Sequence, residues 1–307
     1  MERPEPTRLR VTLPGVELAG ALGDLPGKVE LLRWDMADPA PHHDIDLVVA
    51  PYLPGNAHLR RLDGVRTRLV QAQYLGYDGV AEALPPGHVY ANARGVHETS
   101  TAELALALLL AAQRGIPDFV RAAGVRRSEP AWYPSLADRR VLVLGQGGVG
   151  RAIEARLAPF EVDVVRVART AREGVHGIAE LPRLLPSCEV VIVGVPLTAE
   201  TEQLVDAGFL AALPDGAIIV NVARGRVADT AAIAGEARTG RLRFALDVTD
   251  PEPLPVGHEL FRLPNVLISP HAGGMSSAML PRVARLVRRQ IELLMTGGEP
   301  VNVVLRS

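Results

Sequence analysis

Lysine is almost missing from this 307-residue chain: of its 33 basic residues only Lys28 is a lysine, and the rest are arginines. The Gly-Lys-Ser/Thr of a P-loop therefore does not occur, and Schiff-base chemistry or a Tyr-x-x-x-Lys reductase centre would have to rest on that one N-terminal position. Cys188 is the only cysteine. It can close no intrachain disulfide and build no cysteine zinc cluster, which suits a reducing, cytoplasmic setting. A charge excess is missing too. The 33 basic and 35 acidic residues leave a formal charge of -2 and a pI near 6.5, a balance that gives no field for nucleic acid or anionic lipid. Long hydrophobic runs are also absent. The longest, Leu104 to Ala112, falls far short of the roughly 20 residues of a membrane span, and Met1 to Thr7 lacks the apolar core of a signal peptide.

What is present is an ordinary globular composition, 48% hydrophobic and 22% charged, at a length that suits two domains. The first ninety or so residues hold short apolar runs between turn-formers: Leu9 to Leu13, Val29 to Leu32, Asp46 to Ala50, Arg68 to Gln71 and Val89 to Ala91. Apolar runs without polar alternation predict strands covered on both faces, hence a small parallel α/β domain. At Ser100-Thr101-Ala102-Glu103 the capping-box spacing, with Gly115 and Pro117 as a stop, predicts a helix over about 101 to 114.

From Arg140 onward the pattern alternates strand and helix. Strands are expected through RRVLVL and VDVVRVA, and at Val190 to Val195, Ala217 to Val222, Phe244 to Val248 and Val266 to Ser269. That alternation predicts a doubly wound parallel sheet, an α/β Rossmann fold. A last helix, Met279 to Met295, and a strand-like tail, Val301 to Leu305, follow; Arg282, Arg285, Arg288 and Arg289 read as the helix's solvated face.

Gly145-x-Gly147-x-x-Gly150 follows an apolar strand and opens a helix. In that setting the glycines permit a tight turn, close approach of backbone to a pyrophosphate and close helix packing, with Gly148 and Val149 at the helix N-terminus. The second strand should end in an acid if NAD were bound through its ribose. Ala168 stands there instead, followed by Arg169, Thr170 and Arg172, so a 2′-phosphate fits and NADP(H) is expected over NAD(H).

Three more polar residues sit at strand ends of the same sheet: Arg224 after AIIVNVA, Glu252 after FALDV and His271 after VLISP. Ligands of open α/β sheets bind beyond the carboxyl ends of the strands, so the three converge on one crevice. Arginine can hold a carboxylate and polarise the neighbouring carbonyl, histidine can exchange a proton with the oxygen, and a carboxylate on the other ring nitrogen fixes the tautomer. A methyltransferase would also use a glycine turn, but it leaves this set unexplained.

NVARG, LDVTDPEPLP and SPHAGG, with VLVLGQGGVG and VPLTAET, resemble the D-isomer-specific 2-hydroxyacid dehydrogenases over about residues 70 to 295. The resemblance implies an NAD(P)-dependent reductase of a small 2-oxo acid to its D-2-hydroxy acid. In it Arg224 binds and polarises substrate, Glu252 partners the imidazole, and His271 is the general acid/base. It implies cofactor contacts at Val195, Pro196, Val222, Ala223, Asp247 and Gly273, and substrate-carboxylate contacts at Leu75 and Gly76. It further implies a discontinuous flavodoxin-like substrate domain (1–95 with 280–307), a Rossmann domain (96–279) and a homodimer. Two departures stand out: His97 and Glu98 occupy positions where an Asn-Thr pair is commoner in the family, and the NAD-selecting acid is absent. Formate dehydrogenases share the architecture, but Glu252 argues against that activity. A non-catalytic NAD(P)-sensing dimeric regulator on the same fold is the alternative.

Overall fold

The computed structural model describes residues 8–25, 27–53, 55–122 and 132–307. The chain divides into two compact units, one of Met1–His97 with Ser277–Ser307 and one of Glu98–Ser276. Strands β1 (Leu9–Leu13), β2 (Val29–Arg33), β3 (Asp44–Val49), β4 (Arg66–Gln71) and β5 (Val89–Ala91) belong to the first unit. The second carries β6 (Arg140–Leu144), β7 (Asp163–Ala168), β8 (His176–Gly177), β9 (Val190–Val193), β10 (Ile218–Asn221), β11 (Arg243–Leu246) and β12 (Val266–Ile268). The returning chain adds β13 (Val303–Arg306) to the first sheet.

The second sheet runs β12-β11-β10-β9-β6-β7-β8, every neighbouring pair parallel. The order reverses between β6 and β9, the switch point at which doubly wound sheets open a crevice. Successive residues of β6 serve opposite faces. Leu142 and Leu144 pack with Val165, Val167, Val191 and Phe244. Val141 and Val143 pack with Ile192, Ile218 and the helix residues Ala105 and Leu109. Both faces are thus dry, which is why the strands read as unbroken apolar runs; each buried Leu or Val contributes roughly 1.5–3 kcal/mol.

The first sheet runs β13-β5-β4-β3-β1-β2, parallel except for β13, and its β2-β1-β3-β4-β5 portion has the flavodoxin-like order. The chain returns to it through the helix Met279–Thr296, whose Val283, Val287, Ile291 and Leu294 lie on Val11, Leu47 and Leu69. Among these sits fully buried Gln290. Its amide nitrogen donates to the Gln71 side chain (2.7 Å) and the Val301 carbonyl (2.8 Å), while its oxygen accepts from Val301 N–H (3.1 Å). Gln71 in turn donates to the carbonyls of Ala72 and Asn92.

Two expectations need correction. The long helix spans Glu98–Gln113, so Ser100 lies inside its first turn rather than capping it, and the Ser100 hydroxyl meets that of Ser276 at 2.7 Å. The four arginines of the last helix are not all solvated face. Arg282 donates to the Val96 carbonyl at 3.2 Å and Arg288 to that of Leu22, while Arg285 and Arg289 are exposed. No helix of the described residues is long and apolar enough to cross a membrane.

Replacing Gln290 by leucine keeps the volume but strands Gln71 Oε1 in the interior and leaves both backbone groups of half-buried Val301 without this partner. Such groups cost about 1–3 kcal/mol each when unpaired. Gln290→Leu is expected to lower the denaturant midpoint by the equivalent of about 2 kcal/mol or more, measured by chemical unfolding of the intact chain.

Candidate active site

The glycine turn is built on backbone contacts that side chains would block. Gly145 has φ +112°, and a Cβ there would lie 2.5 Å from the Gly194 carbonyl oxygen beyond β9. A Cβ on Gly150 would lie 1.7 Å from the Gly145 carbonyl oxygen, so only glycine lets the helix Gly148–Leu157 seat against the strand. Gly147 has open space where its Cβ would be, and no side chain caps the helix. Its first N–H groups, those of Gly148 and Val149 among them, are donors for an anion. Inside the turn the Gln146 amide nitrogen is buried with no hydrogen-bond partner among the described residues. An open helix N-terminus and an orphaned donor suit a pyrophosphate, and these residues fit a dinucleotide.

At the end of β7, Ala168 closes the strand and Arg169, Thr170 and Arg172 follow, all three exposed. Neither guanidinium is in an ion pair among the described residues, whereas nearby Arg183 is engaged by Glu180. Val195 and Pro196 follow β9, and Val222 and Ala223 follow β10. Of these four, only Pro196 is exposed.

The polar set lies past β10, β11 and β12. Arg224 is half-buried; its Nη1 donates to the Ala223 carbonyl at 2.7 Å, and Asn221 Nδ2 donates to the Arg224 carbonyl at 3.1 Å. The next residue fixes this loop. A Cβ on Gly225 would lie 1.8 Å from the Thr249 carbonyl oxygen, so glycine allows the loop after β10 to press on the loop that carries Glu252. His271 Nδ1 and Glu252 Oε1 are 2.5 Å apart, with both side chains about two-fifths exposed. A carboxylate on Nδ1 selects the tautomer and leaves Nε2 outward. Burial pushes the Glu252 carboxyl up, but the His271 hydrogen bond and charge, the Thr249 N–H and the Arg224 guanidinium outweigh it, and the group is held below the usual carboxylate range.

His271 has φ +52°, a left-handed conformation that costs a non-glycine residue about 1–2 kcal/mol. Asp247, 2% exposed, supports it. One carboxylate oxygen accepts from Ser269 Oγ (2.6 Å) and Ala272 N–H (2.8 Å), and the other accepts from Gly273 N–H (2.9 Å). The Asp247 carbonyl accepts from His271 N–H at 2.8 Å. Asp247 and Gly273, read from the sequence as cofactor contacts, are thus engaged with each other and with the turn that presents His271. A signal existed: a buried acid ending β11, which pairs with β12, needs donors from the neighbouring strand end.

In the first unit, the Tyr74 carbonyl accepts from Ala93 N–H (2.9 Å) and the Leu75 carbonyl from Asn92 Nδ2 (2.8 Å). A trans peptide points its N–H opposite its C=O. The N–H groups of Leu75 and Gly76 therefore face away from these partners, and neither has an acceptor among the described residues. Gly225 and the supporting role of Asp247 are the features that motif reading missed.

A doubly wound sheet with this glycine turn at its switch point is the arrangement of a dinucleotide-binding domain. Residues 106–273 match the family model of the D-isomer-specific 2-hydroxyacid dehydrogenase NAD-binding domain. The chain is 32% identical over 259 residues to the glyoxylate reductase of Pyrococcus horikoshii, covering 79% of this chain and 77% of that one. It is 33% identical over 251 residues to the glyoxylate reductase of Thermococcus litoralis, covering 76% of each. It is similar to the structure of a D-isomer-specific 2-hydroxyacid dehydrogenase from Xanthobacter autotrophicus in complex with NADPH and MES, with TM-score 0.82, 30% identity and 98% of both chains covered. It is also similar to an NADPH-dependent glyoxylate/hydroxypyruvate reductase from Sinorhizobium meliloti in complex with NADP and malonate, with TM-score 0.78, 27% identity and 98% of both covered. The chain belongs to the D-isomer-specific 2-hydroxyacid dehydrogenases and is an NAD(P)-dependent enzyme of that family.

A depressed carboxyl contributes its pairing energy above its unfolded value and loses it only as pH falls through the lower, folded one. The carboxyl carbon of Glu252 is therefore expected to titrate below 4.5 in an NMR titration, and in His271→Ala the midpoint should rise. An unchanged midpoint in that variant would show that the imidazole does not hold the carboxylate.

Proposed function

We propose that the chain reduces small 2-oxo acids to D-2-hydroxy acids with Arg224, Glu252 and His271 as the catalytic set, and that it prefers NADP(H). The 2.5 Å contact between His271 Nδ1 and Glu252 Oε1 carries this reading. The Arg224 guanidinium binds the substrate carboxylate and draws electron density from the adjacent carbonyl. The chemistry a bound NADPH supplies here is hydride donation to the carbonyl carbon. His271 Nε2 gives its proton to the oxygen as negative charge develops there, and Glu252 stabilises the imidazolium before transfer. Oxidation runs the same proton path backwards. The open N–H groups of Leu75 and Gly76 are the further substrate-carboxylate contacts, in the manner of other backbone anion sites.

The absence of an acid at Ala168, and Arg169 and Arg172 that form no ion pair among the described residues, support selection of a 2′-phosphate, with Thr170 between them as a neutral donor. The glyoxylate reductases and the NADPH-bound reductase structures among the relatives support the same substrate and cofactor classes. Exposed Ile116, Phe119 and Val120 on one short helix support a homodimer formed through the nucleotide-binding unit.

With a panel of 2-oxo acids, His271→Ala and Arg224→Ala are each expected to lower kcat/KM by about 10²–10⁴-fold while NADPH binding persists; full turnover by either variant defeats the assignment. For the cofactor, wild type should favour NADPH over NADH in kcat/KM. Arg169→Ala/Arg172→Ala should remove most of that preference, about tenfold for 1.4 kcal/mol. A wild-type preference for NADH would overturn the cofactor reading.

A further inference from the structure

In the first unit one buried side chain is only half satisfied. His97 is 5% exposed, its Nε2 lies 2.6 Å from the Gln73 carbonyl oxygen, and its Nδ1 is buried with no hydrogen-bond partner among the described residues. A carbonyl oxygen can only accept, so Nε2 carries the hydrogen. Nδ1 of the neutral ring is then an acceptor waiting for a donor, a group that costs about 1–3 kcal/mol if it stays unpaired.

The surroundings give this orphan a direction. Gln73 is clamped through its own amide to the Ala50 carbonyl at 2.9 Å, and the peptide that receives His97 leads directly into Tyr74, Leu75 and Gly76. The Tyr52 ring lies 6.0 Å from the His97 ring and 6.1 Å from that of Tyr74, and the Tyr74 hydroxyl is held by that of Tyr90 at 3.4 Å. Tyr52 follows β3 and Tyr74 follows β4, so the imidazole stands at the carboxyl ends of the parallel strands, where open α/β sheets take their ligands. Nothing in the Arg224, Glu252 and His271 chemistry uses it.

We propose that His97 Nδ1 is a specificity-determining acceptor for a hydroxyl on the substrate side chain, so that the preferred substrate is a 2-oxo acid with a hydroxyl on C3 rather than one ending in hydrogen or alkyl. This rests on the 2-oxo acid reductase reading and on Leu75 and Gly76 as carboxylate contacts. The Gln73 residue that receives His97 Nε2 leads through Tyr74 into Leu75 and Gly76, so the ring is anchored two residues from the carboxylate contacts. A hydroxyl satisfies the buried nitrogen, and a methyl leaves it unpaired. The half-buried Tyr52 ring is the cover the substrate displaces.

The test compares 3-hydroxy-2-oxopropanoate with 2-oxobutanoate, which differ by hydroxyl for methyl at nearly constant shape. Full-length wild type should favour the hydroxylated acid in kcat/KM by about tenfold, the worth of one neutral hydrogen bond. His97→Phe should bring the ratio close to one, mainly through KM. His97→Gln, which offers both a donor for Gln73 and an acceptor, should restore part of it, and thermal unfolding of each variant checks the fold. An equal rate for the two acids in wild type, or the same ratio in His97→Phe, overturns the proposal. Should neither acid be turned over, the reductase reading falls. Calorimetric binding of 2,3-dihydroxypropanoate against 2-hydroxybutanoate to wild type and His97→Phe then decides the role of His97 by the same ratio.

Discussion

Beyond β11 a carboxylate with almost no exposure, Asp247, takes three hydrogen bonds from the turn after β12, and its own carbonyl takes a fourth from His271. Two neighbouring strand ends are thereby joined through one ionised group. Each hydrogen bond to such a charge is worth about 1.5–3 kcal/mol, enough together to hold His271 at a positive φ it would otherwise leave. The imidazole is held from the backbone side by Asp247 and from the ring side by Glu252. Those two acids differ in their surroundings: one is sealed and fully engaged, while the other is about two-fifths exposed.

The second constraint is backbone proximity. At Gly145, Gly150 and Gly225 a single Cβ would collide with a carbonyl oxygen, twice at less than 2 Å. Gly145 and Gly150 shape the turn between β6 and its helix, and Gly225 brings the Arg224 loop onto the Glu252 loop. A site assembled from the ends of parallel strands depends on such approaches, since each strand delivers one residue and neighbouring loops must touch for those residues to act on one molecule.

Much of this was legible in the sequence. β1 and β5 occupy the ranges their apolar runs predict, and apart from the antiparallel β13 every strand pairing in the two sheets is parallel, as the lack of alternation implies. β3 and β4 start two residues earlier than their hydrophobic runs, at Asp44 and Arg66, exposed cross-strand neighbours joined at 2.6 Å. Apolar periodicity is blind to such an extension. The capping-box spacing misplaced the start of the Glu98–Gln113 helix because the spacing describes local donors, and the Ser100 hydroxyl is taken by Ser276, far along the chain. The same limit hid the work of Arg282 and Arg288. An arginine that bonds a carbonyl on another element has the sequence signature of one that faces water.

In the proposed reaction the chemistry is divided along the chain. Arg224, Glu252, His271 and the residues that hold them all come from the second unit, and their support is backbone, buried carboxylate and glycine. Around Leu75 and Gly76 the first unit offers oriented N–H groups, three tyrosine rings and an imidazole whose Nε2 is held by the Gln73 carbonyl. A carboxylate recognised by backbone N–H leaves little to discriminate one 2-oxo acid from another, because every such acid carries it. Discrimination then falls to side chains that meet the rest of the molecule. Residues such as His97 can change without touching the bonds that set the proton chemistry, so one catalytic unit can serve different acids.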